Sequence, residues 1–411
     1  MIFLDRKKLI ALLKRYGQEH LLFYYDNLSE EQKNKFVKQI EKVDWKLVNI
    51  AREGQKEEKR GDFEPIKGMG LEQIETNKDK FSEIGLEMIK AGKIGAVLLA
   101  GGQGTRLGCE GPKGIVNVGI TKDLYIFELL FMNIMEVTKK VGVWIPFYIM
   151  TSEKNYDVTV TFLKEHHFFG YPEEYVTFFV QEMAVSVDFE GGILMEGPDQ
   201  LSLSPNGNGG WFSSMAKAGL LEDLQRRGIE WLNIFAVDNV LQRIADPVFI
   251  GATIYSDCDS GAKVVRKTDP NERVGVLCLE DVKPSIIEYY EMTDEMNHRK
   301  NSDGRLSYCF GVTLNYLFRV DKIENISNTS MPIHLVEKRI PYLTKDGQYI
   351  VPENPNGYKF EELALDMIHL LDSCLPFEVV REKEFAPIKN ATGVDSLESA
   401  RELLRKNGVD L

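Results

Sequence analysis

The chain has 411 residues, 43% of them hydrophobic, and a formal net charge of −13. That length calls for two or three domains with full-sized cores, and the acidic balance speaks against a nucleic-acid or anionic-membrane surface. No apolar run approaches the ~18 residues that span a bilayer, and the cysteines (Cys109, Cys258, Cys278, Cys309, Cys374) are odd in number, far apart and without C-x-x-C, which excludes a disulfide framework and a zinc ribbon and predicts reduced thiols in a cytoplasmic protein.

Met1 to Gly17 is amphipathic and basic. It lacks a secretory apolar region with a small-residue cleavage site, and Asp5 with the acidic residues soon after it argues against a transit peptide, so it is read as a packed helix. Leu9, Leu12, Leu13, Leu21 and Leu22 fall at helical spacing, Ser29-Glu30-Glu31 is a helix start, and Arg52 to Asp62 is a charged, solvated connector. Residues 1–60 are therefore expected to form a small helical N-terminal region.

Over residues 61–335, strand-like runs (Ala96–Ala100, Phe147–Met150, Val176–Val180, Asn233–Val237, Ala262–Val265, Val274–Leu279) alternate with helix-like ones (Tyr125–Lys139, Trp211–Arg227). This predicts an α/β core of parallel βαβ units. In such sheets ligands gather at the carboxyl ends of the strands, where Gly101 and Asp238 fall. Residues 336–411 read as a separate, smaller α+β C-terminal lobe with helices over Phe360–Leu371 and Leu397–Lys406. The pair His166-His167 has no metal-ligand spacing and is read as ordinary.

The most informative stretch is Ala96-Val97-Leu98-Leu99-Ala100-Gly101-Gly102-Gln103-Gly104-Thr105-Arg106-Leu107-Gly108, closed by Gly111-Pro112-Lys113-Gly114. A buried strand delivers a glycine-rich loop whose amides can approach a phosphate with no Cβ in the way. Arg106 and Lys113 add two cations that a bland turn does not need. A Rossmann G-x-G-x-x-G would require glycine at Leu107, and a P-loop would require Ser or Thr directly after its lysine, so neither pattern fits.

The segment resembles the signature of nucleotide-sugar pyrophosphorylases, specifically the eukaryotic-type UDP-N-acetylhexosamine pyrophosphorylases. The likeness continues in order through Tyr148-Ile149-Met150-Thr151-Ser152, Pro205-Asn206-Gly207-Asn208-Gly209-Gly210, Val237-Asp238-Asn239, Ala245-Asp246-Pro247, Ser302-Asp303-Gly304-Arg305-Leu306, Pro355-Asn356-Gly357 and Phe385-Ala386-Pro387-Ile388-Lys389-Asn390. It implies a Rossmann-like nucleotide-sugar transferase core with a mixed, mainly parallel sheet. It also implies attack of N-acetylglucosamine 1-phosphate on the α-phosphorus of UTP, giving UDP-N-acetylglucosamine and pyrophosphate with Mg²⁺ as cofactor.

Under this resemblance Arg106 and Lys113 hold the phosphates that leave, and Lys389 reaches the phosphates being joined. Gly101, Gly102, Gln181 and Gly207 serve the nucleotide, with the turn Asn206–Gly210 offering amides at a helix start. Asn208, Glu288, Asn315, Leu363 and Leu365 serve the sugar, and Asp238 binds Mg²⁺. Lys389 on its own lobe implies closure over the site. The structural alternatives are a solvated loop lysine at Lys113, a turn cap at Asp238, and an Asp-Pro helix start at Asp246.

The chain departs from the family at Thr121-Lys122-Asp123-Leu124-Tyr125-Ile126-Phe127-Glu128, at Glu182-Met183 and at Val264-Val265-Arg266-Lys267-Thr268. Two aromatic positions beside the sugar N-acyl group are Leu363 and Leu365, which predicts a roomier apolar wall. Two other readings stand beside the main one. The same chemistry on glucose 1-phosphate is suggested by Gly108-Cys109-Glu110-Gly111-Pro112-Lys113, which is also similar to UDP-glucose pyrophosphorylases; their loop normally has Leu-Gly where Gln103-Gly104 stands. The other is a catalytically silent nucleotide-sugar-binding regulatory protein, which intact Arg106, Lys113, Asp238 and Lys389 disfavour.

Overall fold

The computed structural model describes residues 5–54, 60–326 and 331–411, which group into two compact units. The first draws on Met1–Lys59, Glu182–Gly210 and Met331–Leu363. Its helices Arg6–Arg15, Glu30–Glu41 and Trp45–Glu53 begin at Asp5, Ser29 and Asp44, whose side chains accept from the first-turn amides. Leu9, Leu13, Leu21, Phe36 and Ile40 share one core with Val187, Ile193, Leu201 and Phe360.

Two buried or half-buried glutamines join the helices to the middle segment. Gln18 donates to the Gly191 carbonyl (2.9 Å) and accepts from the Ile193 amide (2.8 Å), and Gln39 does the same for Asp199 O (2.8 Å) and Leu201 N (3.0 Å). The N-terminal helices therefore complete their core with residues 182–210 and 331–363, which the chain order had suggested belonged elsewhere. Within this unit, Gly357–Glu361 is a strand paired antiparallel with His334–Lys338 and with Val187–Asp188. The helix expected over Phe360–Leu371 reduces to Asp366–His369, because strand pairing wins over helical spacing up to Glu361.

The second unit comprises Arg60–Gln181, Trp211–Ser330 and Ala364–Leu411. Its sheet, ten-stranded among the described residues, contains β1 (Phe63–Pro65), β2 (Ile94–Leu99), β3 (Phe147–Thr151), β4 (Val176–Val180), β5 (Trp231–Ala236), β6 (Ser260–Arg266), β7 (Val276–Glu280), β8 (Lys283–Ile287), β9 (Phe310–Arg319) and β10 (Cys374–Glu378). Strands β5, β2, β3 and β4 lie side by side and parallel. Every residue of β2 and β3 is buried, as continuous apolar runs in an interior parallel sheet require. Strand β9, for which no expectation was formed, runs antiparallel beside β5 and also pairs β6.

Strand β10 pairs parallel with β6, so residues 364–411 are part of this unit and not a separate lobe. The helix Leu397–Lys406 lies where expected, and Gly219, at φ 73°, divides the expected Trp211–Arg227 helix into Trp211–Lys217 and Leu220–Arg227. Of the charged connector, residues 55–59 fall outside the described residues. Arg60 is exposed, as expected of the connector, and also grips Glu280 with two nitrogens (2.9 and 2.8 Å). Burial opposes the Glu280 carboxylate, but the Arg60, Gly61 and Ser285 donors prevail and hold its pKa down to about 2. All five cysteines are free thiols, and among the described residues no helix is long and apolar enough to cross a membrane.

The helices Lys78–Lys90 and Pro247–Tyr255 approach backbone to backbone at two glycines. A methyl at Gly251 would overlap the Phe81 carbonyl, and one at Gly85 the Pro247 carbonyl. Gly251→Ala is accordingly expected to lower stability by ~1–3 kcal/mol through overpacking, although alanine is the better helix former. Denaturant unfolding measures this, and an unchanged midpoint would show that the helix pair can separate freely.

Candidate functional site

The glycine loop leaves the carboxyl end of β2 and returns on itself. Gly104 N donates to Gly111 O (2.8 Å) and Lys113 N to Gly102 O (3.1 Å), so the second cation of the motif is carried back beside the glycines. Gly102 has open space where a Cβ would stand, whereas a Cβ at Gly101 would overlap Oε1 of Gln181. Gln181, buried at the end of β4, thus lies directly over the first glycine. Gly114 is a packing requirement: a methyl there would enter the ring of the buried Phe127.

Lys113 Nζ lies 3.6 Å from Asp238 Oδ2, with side-chain exposures of 15% and 25%. Asp238 follows β5 on the same side of the sheet. Burial pushes the Lys113 ammonium below the ordinary lysine pKa, and the charges of Arg106 and Lys389 push the same way against the opposing pull of Asp238. Arg106 and Lys389 thus both act on the Lys113 ammonium that faces Asp238.

Lys389 reaches this cluster through backbone. Ile388 N donates to Asp238 O (2.9 Å), and Val240 N to Ala386 O (3.3 Å). Between them Asn239, 1% exposed, donates to Glu384 O (2.8 Å) and accepts from Ala386 N (2.9 Å). The closure expected of a lysine on its own lobe is replaced by a lysine fixed within the unit that carries Arg106, Lys113 and Asp238. Asn239 went unassigned in the sequence; its only signal was its place in Val-Asp-Asn. Lys389 Nζ also pairs with Asp395 (3.0 Å).

Asp246 takes the structural role. It caps Pro247–Tyr255 through Val248 N (3.1 Å) and meets the buried Lys263 Nζ at 3.0 Å, which in turn meets Glu384 at 2.6 Å. Burial works against all three charges. Lys263 and Arg243 still hold Asp246 below the usual carboxylate range, while burial and the Asp246 charge push Glu384 above it.

The remaining predicted residues are distributed between the units. Asn206, Gly207, Asn208 and Leu363 belong to the first. There Glu362 N donates to Asn206 O (2.6 Å) and Gly209 N to Glu362 O (2.8 Å), so the Gly209 amide is spent on the protein and not free for an anion. Gly207 is left-handed, at φ 90°, and a Cβ there would overlap the Glu362 carbonyl. Glu288 and Leu365 belong to the second unit and are partly exposed. Asn315, on β9, has 0% exposure and spends its amide on Asn233 (2.8 Å), Gln242 (3.4 Å) and Arg243 O (3.3 Å), which leaves it no surface for a sugar and makes it a support of the turn after Asp238.

Among the described residues no group of three or more His, Cys, Asp or Glu is placed to hold a metal. Asp238 alone fits the other common arrangement, in which Mg²⁺ takes one carboxylate and completes its shell from phosphate oxygens and water. Because its pKa is lowered, Lys113 loses its proton at lower pH than an ordinary lysine, and a bound polyanion favours the charged form. Affinity for inorganic pyrophosphate is expected to begin falling below the ordinary lysine pKa of about 10.4 as pH rises toward it, and Lys113→Arg, whose charge persists, to flatten that limb. Calorimetric titration checks this, and a wild-type affinity independent of pH would remove the Lys113 amine from the anion site.

Residues 29–407 match the family model described as UTP–glucose-1-phosphate uridylyltransferase. The chain is 36% identical over 423 aligned residues to UDP-N-acetylglucosamine diphosphorylase 2 of Arabidopsis thaliana, covering 96% of this chain and 82% of that protein. It is 34% identical over 422 residues to the UDP-N-acetylglucosamine pyrophosphorylase of Saccharomyces cerevisiae, covering 96% and 88%. The crystal structure of the uridine diphosphate N-acetylglucosamine pyrophosphorylase of Trypanosoma brucei, in complex with an inhibitor, superposes with a TM-score of 0.83 at 25% identity over 97% of this chain and 84% of that one. With nearly its whole length matched in sequence and its fold matched in space, the chain belongs to the UTP–glucose-1-phosphate uridylyltransferase family.

Proposed function

We propose that this chain transfers the uridylyl group of UTP to N-acetyl-α-D-glucosamine 1-phosphate, forming UDP-N-acetylglucosamine and pyrophosphate. The observation that carries the reading is the grouping of Arg106, Lys113 and Lys389 about Asp238 at the carboxyl ends of parallel strands. The relatives named for UDP-N-acetylglucosamine support the choice of sugar.

A phosphate monoester has a second pKa of ~6, so the attacking oxygen is largely ionised at neutral pH and needs no general base. It bonds to the α-phosphorus as the bond to the bridging oxygen of the β-phosphate breaks, and pyrophosphate departs. The protein's task is to collect and align two polyanions. Arg106 takes the leaving phosphates in a two-pronged contact and Lys113 meets them as a point charge. Lys389 faces the phosphates being joined.

Gly101, Gly102, Gln181 and Gly207 serve the nucleotide; Asn208, Glu288, Leu363 and Leu365 serve the sugar. Mg²⁺ would be held by Asp238, and when bound it supplies positive charge against the phosphate oxygens. Five free thiols are in keeping with a cytoplasmic setting.

Pyrophosphate release with UTP and a panel of sugar 1-phosphates tests the reading. N-acetylglucosamine 1-phosphate is expected to be preferred over glucose 1-phosphate by kcat/KM. The margin should be modest, because Leu363 and Leu365 give a looser wall than aromatic rings and one small apolar group is worth only ~1–3 kcal/mol of selectivity. A preference for glucose 1-phosphate would overturn the named sugar, and no release with any of them would overturn the enzyme. In a second experiment, Asp238→Asn keeps the shape but loses the charge, so Mg²⁺-supported turnover should collapse with the melting temperature preserved. A mutant that titrates with Mg²⁺ like wild type would make Asp238 a cap only.

A further inference from the structure

Asn155 follows β3, is 1% exposed, and stands at the start of helix Tyr156–Glu165 without making a side-chain cap bond to it. Its carboxamide is spent elsewhere. Oδ1 accepts from Ser152 N (2.7 Å), and Nδ2 donates to both Ala100 O (3.0 Å) and Gly102 O (3.4 Å). One buried side chain thus ties the end of β3 to two carbonyls of the glycine loop, those on either side of Gly101, 53 to 55 residues earlier in the chain.

In a trans peptide the carbonyl of one residue and the N–H of the next point in opposite directions. Drawing the Ala100 and Gly102 carbonyls toward Asn155 turns the N–H groups of Gly101 and Gln103 away from it. Neither amide meets a protein acceptor among the described residues. Gly102 O also receives Lys113 N, so the same contact steadies the return of the loop that carries the lysine. Glycine holds no preferred backbone direction of its own, and a loop that must present amides to phosphate gains from being fixed before the ligand arrives.

We propose that Asn155 is a positioning residue for nucleotide binding: its two donors aim the Gly101 and Gln103 amides at the phosphates of UTP. This rests on the uridylyltransferase reading and adds to it a residue that touches no substrate. The chemistry is specific to a carboxamide. Aspartate keeps the size and the acceptor for Ser152 N, and it is as good a helix-start residue as asparagine. Ionised, however, it has no donor and sets its oxygens against two carbonyls.

The experiment is equilibrium titration of UTP with Mg²⁺ into wild type, Asn155→Asp and Asn155→Ala, with thermal melting of each. Both variants are expected to bind UTP about tenfold more weakly or worse, the scale of losing hydrogen bonds of this kind, and to raise KM for UTP more than KM for the sugar phosphate. Lowering the pH should restore part of the affinity of Asn155→Asp alone. A buried carboxyl facing carbonyls protonates readily, and its O–H then replaces one lost donor. Wild-type UTP affinity in either folded variant overturns the proposal, as does weakening in Asn155→Asp that low pH leaves untouched. If Asn155→Asp does not fold, the KM split in Asn155→Ala decides. Failure of wild type to bind UTP would instead strike the reading on which the proposal rests.

Discussion

The second unit depends on holding like charges together. Arg106, Lys113 and Lys389 carry like charge, and burial lowers the Lys113 pKa, with Arg106 and Lys389 pushing the same way against the pull of Asp238. Flexible loops would relax such a cluster by moving the lysines apart. Here each is anchored by backbone: the glycine turn closes through Gly102 and Gly104, and the segment before Lys389 is bonded to Asp238 and Val240.

The anchors are mostly neutral carboxamides. Asn155 holds the loop after β2, Gln181 covers Gly101, Asn239 joins the end of β5 to residues 384–386, and Asn233, on β5, bonds Asn315 and accepts from Ala245 N (2.8 Å). A carboxamide offers donors and an acceptor at fixed angles without adding charge. Buried carboxylates in the same places would neutralise the cations that phosphate is meant to meet. The buried ionic trio of Lys263, Asp246 and Glu384 is self-paired at 1–10% exposure and takes no cation from the cluster. It is costly to break and contributes little net stability, so its value lies in fixing where Glu384, and through its carbonyl Asn239, must sit.

This division explains what could be read from the chain. The glycine loop, the parallel strands and the Leu397–Lys406 helix announce themselves by local pattern. Asn155 and Asn239 do not, because a single asparagine has no period and its partners lie 55 and 145 residues away. The unit boundaries were hidden for a related reason: Gln18 and Gln39 supply backbone-like bonds to residues 191–201, and nothing local in either glutamine says so. The Phe310–Arg319 strand drew no expectation although its β-branched and aromatic residues carried the signal, and the Trp211–Arg227 reading passed over the break at Gly219. At Phe360 the local pattern favoured a helix and cross-strand pairing overruled it.

The shortage of negative charge at Asp238 also bears on how substrate arrives. A protein of net charge −13 repels polyphosphates over most of its surface, so encounter must be governed by a local field. Arg106, Lys113 and Lys389 against Asp238 and Asp395 still leave an excess of positive charge beyond the carboxyl ends of β2 and β5. The arrangement therefore draws a polyphosphate toward the glycine loop against the repulsion of the rest of the surface, because the negative charge of the ligand is what the cluster lacks.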